Sequence, residues 1–446
     1  MNYKEKKKEE AKKQRKKVFP EEKAVKECPA CKTINELNAK FCQECGYKFF
    51  KEGSEKPKEQ IPQIVQEKKE EKGEEKKEEV KEKKKSFFSQ VQMESIRKSE
   101  EEMKNKEETI EVKAVEVREV QKALYVADPD NRRIQKFSSE GEFIKKWGRQ
   151  GSADGEFSDI AEIAIDSQGN VYVVDIDNHR MQKFSSEGEF IKKWGRQGSD
   201  DGEFDFPIDI AIDSQDNIYV ADNGNFCIQK FSSEGDFIKK WGREGSGDEE
   251  FGDIAGIAID SQGNLYIACY DRIQKFSSEG EFIKKWGRQG SADGEFMNIA
   301  EIAIDSQDNL YVVDPANDRI QKFTSEGEFI TKWGREGNGN GEFKGPYNMA
   351  IDSQGNVYVT DLDYHRIQKF TSEGKFITKW GRKGSGDGEF KGPAAIAIDS
   401  QDNVYVVGYH RIQKFTSEGK FITKWGRKGS GDGEFGYIPG IEIPKN

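Results

Sequence analysis

The hydrophobic pattern of residues 121–446 changes every few residues and then repeats. In one copy, short apolar runs rich in β-branched and aromatic residues stand at AEIAID (161–166), VYVVD (171–175), RMQKF (180–184) and FIKKW (190–194). The segments between these runs carry Gly, Asn, Asp and Ser, which are typical of tight turns. No stretch of this region has helical periodicity. The pattern therefore predicts four short antiparallel strands in each copy.

The copies recur with a nearly fixed period. One motif contains every tryptophan of the chain: Trp147, Trp194, Trp241, Trp286, Trp333, Trp380 and Trp425. Successive tryptophans are 45 or 47 residues apart, and a period of this size indicates a solenoid or a propeller. Four antiparallel strands per period correspond to one propeller blade. The repeated Phe, Ile and Trp positions are then expected to pack between blades.

The repeats resemble those of the NHL family of β-propellers. The resemblance rests on Asn178-His179-Arg180, the I/M-Q-x-F that follows, the G-x-F before Trp-Gly, the G-x-x-x-G-E-F loop and the IAID-S-x-x-N-x-Y-V run. It covers residues 121–446 and implies an all-β propeller that binds a protein or, in some family members, RNA. Propellers of this family often have six blades, which is the alternative here. The seven full copies lead us to predict seven.

Two segments could supply the innermost strand of the first blade. The C-terminal PGIEI (439–443) matches PAAIAI (393–398) with a slip of one residue. The rival is AVEV (114–117), whose following turn lacks the Gly and Asn of the other copies. We favour the C-terminal segment, which would pair the two ends of the propeller and leave no open sheet edge.

Charge divides the chain near residue 120. Residues 1–120 contain 32 Lys or Arg and 28 Asp or Glu, whereas the remainder contains 40 and 55. The repeat region is therefore acidic, which argues against non-specific binding of nucleic acid by this part. Residues 1–20 are a basic tail. Residues 51–120 are dominated by Lys and Glu and are predicted to form a charged linker, disordered or partly helical, with a coiled coil around residues 87–103 as a weak alternative.

The start of the sequence has basic residues without an apolar core behind them, and no run of about 18 apolar residues follows. We therefore expect no secretory signal, no membrane contact and a cytoplasmic location. The pattern leaves the oligomeric state open.

Four of the six cysteines form two C-x-x-C pairs: Cys28, Cys31, Cys42 and Cys45. Each pair places two thiolates on one tight turn, and two such turns complete a tetrahedral Zn²⁺ site. The spacing predicts a zinc ribbon at residues 21–50 with one structural zinc ion; redox chemistry is the alternative. Animal proteins that join a RING finger to an NHL propeller are ubiquitin ligases or RNA regulators. A RING finger binds a second zinc ion, for which this pattern has no ligands.

The copies differ mainly in the turn between the second and third strands and in the loop between blades. Both lie on one face of a four-stranded blade, which we call the top face. The turn shortens at 269–272 and 408–411, and Cys227 replaces the motif arginine in the third copy. Over eleven residues from the Arg of each Trp-Gly-Arg, the net charge runs −2, −3, −4, −1, 0, +1 and 0. We predict a partner-binding top face formed by Arg149, Arg196, Asp200, Asp201, Asp248, Arg335, Lys344, Arg382, Lys391 and Arg427.

The sequence predicts a non-enzymatic scaffold whose top face binds a protein or peptide. The alternative is RNA binding by the basic arc of this face, which consists of Arg335 and Arg382 with the nearby lysines. His179, His365 and His410 lie in separate copies and resemble neither a triad nor a metal set. The arginine after each histidine, such as Arg180, is expected to bond to turn groups such as Asp175. Related propeller lyases and lactonases place His or carboxylates around a central metal. The IAID-like inner strands are expected to offer no such ring, so these activities are the less expected reading.

Overall fold

The computed structural model describes residues 25–27, 34–36, 123–438 and 440–444. Near the amino terminus, the strands Val25–Glu27 and Ile34–Glu36 pair antiparallel. From residue 123 onward, seven four-stranded antiparallel sheets follow one another along the chain. The structure is therefore the predicted seven-bladed β-propeller, and the six-bladed alternative is wrong. No helix within the described part of the chain is long and apolar enough to cross a membrane.

The strands of each blade are given from the innermost to the outermost. Blade 1 consists of Ile441–Glu442, Leu124–Asp128, Arg133–Phe137 and Phe143–Trp147. Blade 2 consists of Ile160–Ile165, Val171–Asp175, Arg180–Phe184 and Phe190–Trp194. Blade 3 consists of Pro207–Ile212, Ile218–Asp222, Cys227–Phe231 and Phe237–Trp241. Blade 4 consists of Ile254–Ile259, Leu265–Cys269, Ile273–Phe276 and Phe282–Trp286.

Blade 5 consists of Glu301–Ile304, Leu310–Asp314, Arg319–Phe323 and Phe329–Trp333. Blade 6 consists of Pro346–Ile351, Val357–Asp361, Arg366–Phe370 and Phe376–Trp380. Blade 7 consists of Pro393–Ile398, Val404–Gly408, Arg411–Phe415 and Phe421–Trp425. The single turns Pro129–Asn131, Ile176–Asn178 and Pro315–Asn317 are 3-10 helical, and Arg243–Glu244 pairs parallel with Glu250–Phe251.

The two ends of the propeller share one sheet. Ile441 lies opposite Val126 and Glu442 opposite Tyr125, so the last strand of the chain is the innermost strand of blade 1. Ile396 lies opposite Val406 in blade 7, at the matching position. The predicted closure by the C-terminal segment is confirmed, while the rival segment 114–117 lies outside the described residues. The ring thus has no unpaired edge at its seam.

The core is divided among the junctions between neighbouring blades. At the first junction, the ring of Trp147 lies 6.1 Å from that of Phe184 in blade 2 and 6.3 Å from that of Tyr125 in its own blade. Gly188 approaches the same indole with φ +71°, and a Cβ there would lie 2.5 Å from it. Glycine is required because only it combines this conformation with this approach. The predicted packing role of the repeated aromatic positions is confirmed.

A ring of polar contacts on the face opposite the top, the bottom face, joins all blades. Lys183 Nζ donates to the Ser233 carbonyl oxygen at 2.9 Å, and the Tyr172 hydroxyl lies 3.0 Å from the same oxygen. The other tyrosines of the ring make the same contact: Tyr125 to Ser186, Tyr219 to Ser278, Tyr266 to Ser325, Tyr311 to Ser372, Tyr358 to Ser417 and Tyr405 to Ser139. Because every blade repeats it, this ring serves the architecture.

Candidate binding face

On the top face, each turn between the second and third strands lies against the loop that follows its predecessor blade. Asn178 in the blade 2 turn donates from Nδ2 to the Gly151 carbonyl at 2.9 Å. Asn225 in blade 3 makes the same bond to Gly198 at 2.8 Å. Turns and loops therefore form one continuous surface, as the alternation of strands predicts.

A buried ion pair anchors each of four turns. Arg180 donates from Nε to Asp175 Oδ2 at 2.7 Å and from its two terminal nitrogens to the carbonyls of Ser152 and Glu156. The side chains of Arg180 and Asp175 are buried. The same pair recurs as Arg133–Asp128, Arg319–Asp314 and Arg366–Asp361. The predicted structural role of the motif arginine is confirmed.

Three blades lack this pair. In blade 3, the Cys227 thiol lies 3.8 Å from Asp222 Oδ2, and burial without a nearby cation raises the pKa of the Asp222 carboxyl. In blade 4, Cys269 occupies the aspartate position, and burial raises the pKa of its thiol to about 11. In blade 7 the aspartate is replaced by Gly408. Both cysteines are buried and free, so they are not reactive surface thiols.

Each arginine predicted to bind a partner is tied to a glutamate of its own loop. Arg149 Nε donates to Glu156 Oε1 at 2.8 Å, while about 80% of the arginine side chain is exposed. The same arrangement holds for Arg196–Glu203, Arg335–Glu342, Arg382–Glu389 and Arg427–Glu434. The backbone N–H of Ala153 and then Arg149 lower the pKa of Glu156. These arginines therefore order their loops and still offer their outer faces to a partner.

The predicted acidic residues lie in the loops after blades 2 and 3. Asp201 is 3.4 Å from Lys240 Nζ, and Asp248 is 2.9 Å from Lys285 Nζ. Asp200 is exposed, and its backbone N–H donates to Glu203 Oε2. Ion pairs this exposed are worth at most about 1 kcal/mol, so a partner could displace them at little cost.

Lys344 and Lys391, the predicted lysines, occupy the same position in the loops that enter blades 6 and 7. Both are exposed. Lys344 donates only its backbone N–H, to Asp361 Oδ1 at 3.1 Å. The structure places no ion pair on either ammonium group within the described residues. Two uncompensated positive charges therefore stand beside each other on this arc of the top face.

The three histidines each bond within the top surface. His179 Nδ1 accepts the backbone N–H of Phe206 at 3.3 Å, and His365 Nδ1 accepts that of Gly392 at 3.0 Å. His410 Nδ1 contacts the Gly436 carbonyl. Each imidazole links a turn to the start of the next blade. The structure thus leaves them on separate blades, as the sequence predicts.

The inner strands place three carboxylates at one position of the repeat, which the sequence interpretation did not single out. Glu162, Asp209 and Glu301 occupy the same position of the innermost strands in blades 2, 3 and 5; we call them the channel carboxylates. Burial, followed by the charge of Asp209, raises the pKa of Glu162 and of Glu301 to about 8. Burial raises the pKa of Asp209 to about 6, although hydrogen bonds from the backbone N–H groups of Ile257 and Ile210 act to lower it.

These positions come together because the ring geometry brings equivalent positions of different blades to the axis. Asn348 of blade 6 continues the ring and donates from Nδ2 to Glu301 Oε2 at 2.7 Å. Ile257 donates its backbone N–H to Asp209 Oδ2 at 2.8 Å across a blade junction. Among the described residues, however, no group of three His, Cys, Asp or Glu is placed to hold a metal ion.

The sequence interpretation did not include a group of exposed aromatic residues on the top face. Tyr347, Tyr409 and Tyr437 lie at the top of blades 6, 7 and 1 and are 44%, 58% and 42% exposed. Burial and then the charges of Tyr347 and Tyr409 raise the pKa of the Tyr437 hydroxyl. The available signal was the repeat itself, because alanine stands at the position of Tyr347 in blades 2, 4, 5 and 7.

The predicted zinc ligands Cys28, Cys31, Cys42 and Cys45 lie outside the described residues, as do the basic tail and the charged linker. The strand pair at 25–27 and 34–36 flanks the first C-x-x-C pair along the chain. The zinc site remains a prediction.

Comparison with known proteins supports the propeller. The model of the NHL repeat matches residues 204–231. A model described as a 6-bladed beta-propeller, DUF5128, matches residues 102–185, 272–323 and 306–370. The C-terminal part of the chain is therefore a β-propeller containing NHL repeats, with seven blades where that model has six. No curated protein matches the sequence.

Several solved structures have a similar fold. A putative 6-phosphogluconolactonase from Bacteroides fragilis is 14% identical, with a TM-score of 0.53, covering 72% of this chain and 98% of that one. A protein of unknown function from Desulfotomaculum acetoxidans is 16% identical, with a TM-score of 0.52 and coverages of 71% and 98%. Catalytically inactive virginiamycin B lyase from Staphylococcus aureus is 14% identical, with a TM-score of 0.51 and coverages of 68% and 90%. At these identities, the likeness concerns the fold alone.

Proposed function

We propose that the protein is a non-enzymatic binding scaffold whose top face binds a protein or peptide partner. One observation carries this proposal. The contacts between blades on the bottom face repeat in all seven blades, whereas the top loops differ in charge, turn length and aromatic content. Sequence differences between the copies that leave the packing between blades unchanged and occur on one exposed surface are expected where a partner is recognised.

The charge of the top face gives the partner a defined orientation. The loops after blades 1 to 3 carry net charges of −2, −3 and −4, whereas those after blades 5 to 7 carry 0, +1 and 0. A partner with the opposite gradient would be steered into one register. We propose the zinc ribbon as a structural or docking module, in a cytoplasmic protein.

An enzymatic role is not part of the proposal, although a lyase and a putative lactonase share the fold. Such reactions need an acid, a base or a metal ion within reach of one substrate. His179 and His365 instead accept backbone N–H groups in separate turns. A ubiquitin-ligase role is likewise not proposed, since the cysteine pattern supplies one zinc site.

RNA is the second candidate, and the exposed Lys344 and Lys391 favour it. Against it, the repeat region carries 40 basic and 55 acidic residues, and a polyanion approaching it would be repelled. Strong weakening of binding by salt would distinguish RNA from a protein partner.

The test is a crosslinked pull-down with the affinity-tagged full chain, divided into portions with and without RNase. We expect protein partners that survive RNase and are lost when Asp200, Asp201 and Asp248 are changed to lysine. The matched control changes Glu142, Glu281 and Glu328 to lysine. These exposed bottom-face residues already have lysine equivalents, Lys375 and Lys420, in blades 6 and 7. Recovery of RNA with loss of the proteins after RNase would overturn the proposal in favour of RNA binding.

A further inference from the structure

The exposed tyrosines of blades 6, 7 and 1 form a patch with two lysines, which we call the tyrosine rim: Tyr347, Tyr409, Tyr437, Lys344 and Lys391. Tyr347 is the second residue of the innermost strand of blade 6, Tyr409 lies in the shortened turn of blade 7, and Tyr437 precedes the innermost strand of blade 1. Each ring is between 42% and 58% exposed. The patch therefore lies on the top face over three adjacent blades.

The rim departs from the repeat at Tyr347, at Tyr437 and at the two lysines, whereas Tyr409 has an equivalent in Tyr270 of blade 4. Ser158, Asp205, Gly252 and Met297 stand where blades 6 and 7 have lysine, and no other blade has tyrosine at the position of Tyr437. Tyr409, like Tyr270, lies in a turn that is two residues shorter than those of the other blades, and it is 58% exposed.

The chemistry of the rim combines apolar area with uncompensated positive charge. Tyrosine offers a large rigid ring with a polar end, which is why it is enriched at protein interfaces. Neither lysine ammonium has an ion pair within the described residues. Arg382 and Arg427 on the same arc are paired with Glu389 and Glu434, while the exposed Lys383 and Lys428 add further positive charge beside them. A ligand of the rim must therefore bring apolar groups for the rings and a small number of negative charges for two lysines.

We propose that the tyrosine rim binds an extended acidic peptide segment of a partner protein, with apolar side chains between its carboxylates. This proposal rests on the proposed function and names the chemistry of the partner. The apolar side chains would pack on Tyr347, Tyr409 and Tyr437, and the carboxylates would pair with Lys344 and Lys391. The basic arc then binds the acidic segment. The acidic loops after blades 2 and 3 repel the segment and so determine its orientation on the top face.

The same observations disfavour a single-stranded nucleic acid on the rim. Tyrosines that stack bases are normally combined with a positive groove along the backbone. Here the net charge of no top loop exceeds +1. The loops after blades 1 to 4 carry net charges of −2, −3, −4 and −1, so a strand with one charge per nucleotide would meet more repulsion than attraction.

The test measures fluorescence anisotropy of labelled twelve-residue probes with the full chain. The first probe alternates Glu with Leu and Phe, the second replaces its apolar residues by Ser, and the third replaces Glu by Lys. A twelve-nucleotide oligouridine is the fourth. We expect the first probe to bind and the third not to bind. Tyr347→Ala with Tyr409→Ala, or Lys344→Glu with Lys391→Glu, should each raise Kd at least about tenfold.

Matched controls come from the repeat. Tyr270→Ala removes an exposed tyrosine from the equivalent shortened turn of blade 4, and Lys375→Glu with Lys420→Glu repeats the charge change on the bottom face of blades 6 and 7. Both should leave Kd unchanged, and thermal unfolding verifies that all variants fold. An equal loss in rim and control variants, no binding of the first probe, or binding of oligouridine that the rim variants abolish would overturn the proposal. The proposed function is tested separately by the pull-down. It is contradicted if the change of Asp200, Asp201 and Asp248 to lysine leaves partner recovery unchanged.

Discussion

Ile441 lies opposite Val126, so that a strand from the last residues of the chain completes the sheet begun by the first blade. Ile441 is 8% exposed and packs with Val126, Phe137 and Ile412, which brings blades 7 and 1 into one core. The seam of the propeller is thus closed by hydrogen bonds and by apolar packing together.

Removal of this strand should open the ring. A chain ending at residue 437 loses the pairing of blade 1 and exposes the second strand, which is buried along its length. Ile441→Ala alone should lower the free energy of unfolding by about 2–4 kcal/mol. Thermal unfolding measures both. A chain ending at residue 444 is the control, and unchanged unfolding of the shorter chain would contradict the closure.

Blade 3 offers a gain of stability. Asp222 is buried there without the arginine that four other blades provide, because Cys227 occupies its place. Cys227→Arg should form the missing pair, raise the melting temperature by about 2–4 °C and bring the Asp222 pKa down. Cys227→Ser is the control, since it supplies no charge. A fall in stability with Cys227→Arg would mean that the loop after blade 2 cannot accept the guanidinium.

Loss of an existing pair should be costly. Arg180→Ala leaves Asp175 buried without its cation, and breaking such a pair costs about 3–5 kcal/mol. Arg149→Ala removes an ion pair of the same residue types at the surface and should cost no more than about 1 kcal/mol. Chemical denaturation separates the two. Similar losses in both variants would contradict the structural role assigned to Arg180.

The channel carboxylates should make the propeller less stable as pH rises. The folded-state pKa values of Glu162 and Glu301, about 8, lie above the ordinary value of 4.5. The folded protein therefore binds more protons between these values, and the stability present at low pH is lost as pH passes about 8. Asp209 contributes in the same direction up to about pH 6. The charge of Glu442 also raises the pKa of Glu162.

The measurement is the melting temperature from about pH 5 to about pH 8.5, for the native chain and for Glu162→Gln with Glu301→Gln. The melting temperature of the double variant should change less with pH than that of the native chain. At the upper end of the pH range, it should also be higher. Glu142→Gln with Glu328→Gln, on the exposed bottom face, is the control. A double variant with the slope of the native chain would show that the two glutamates are ionised in the folded protein.

The zinc prediction rests on the sequence alone. Native mass spectrometry of the full chain should show one bound Zn²⁺, which is lost in Cys28→Ser with Cys31→Ser and kept in Cys227→Ser with Cys269→Ser. The second pair is buried in the propeller and serves as the matched control. A metal-free native chain would contradict the zinc ribbon.

The fold can be predicted well from the sequence because the hydrophobic pattern of each strand occurs in seven copies. The inner strand predicted at 161–166 is found at Ile160–Ile165, and the closing strand is found where the alignment of 439–443 places it. The channel carboxylates and the tyrosine rim were missed. Glu162 and Glu301 are far apart in sequence and occupy equivalent positions of different blades, whereas Tyr347 and Tyr437 stand two positions apart in the repeat. Comparison of the copies position by position would have revealed both.

The most direct test of top-face binding replaces single residues of the full chain with a photo-crosslinking amino acid. Asp200 and Lys391 report on the top face, and Glu142 and Lys375 report on the bottom face of blades 1 and 6. The proposed scaffold predicts that a partner protein is crosslinked in cells from the two top positions and not from the two bottom positions. Crosslinking from the bottom positions alone, or equally from both faces, would contradict it.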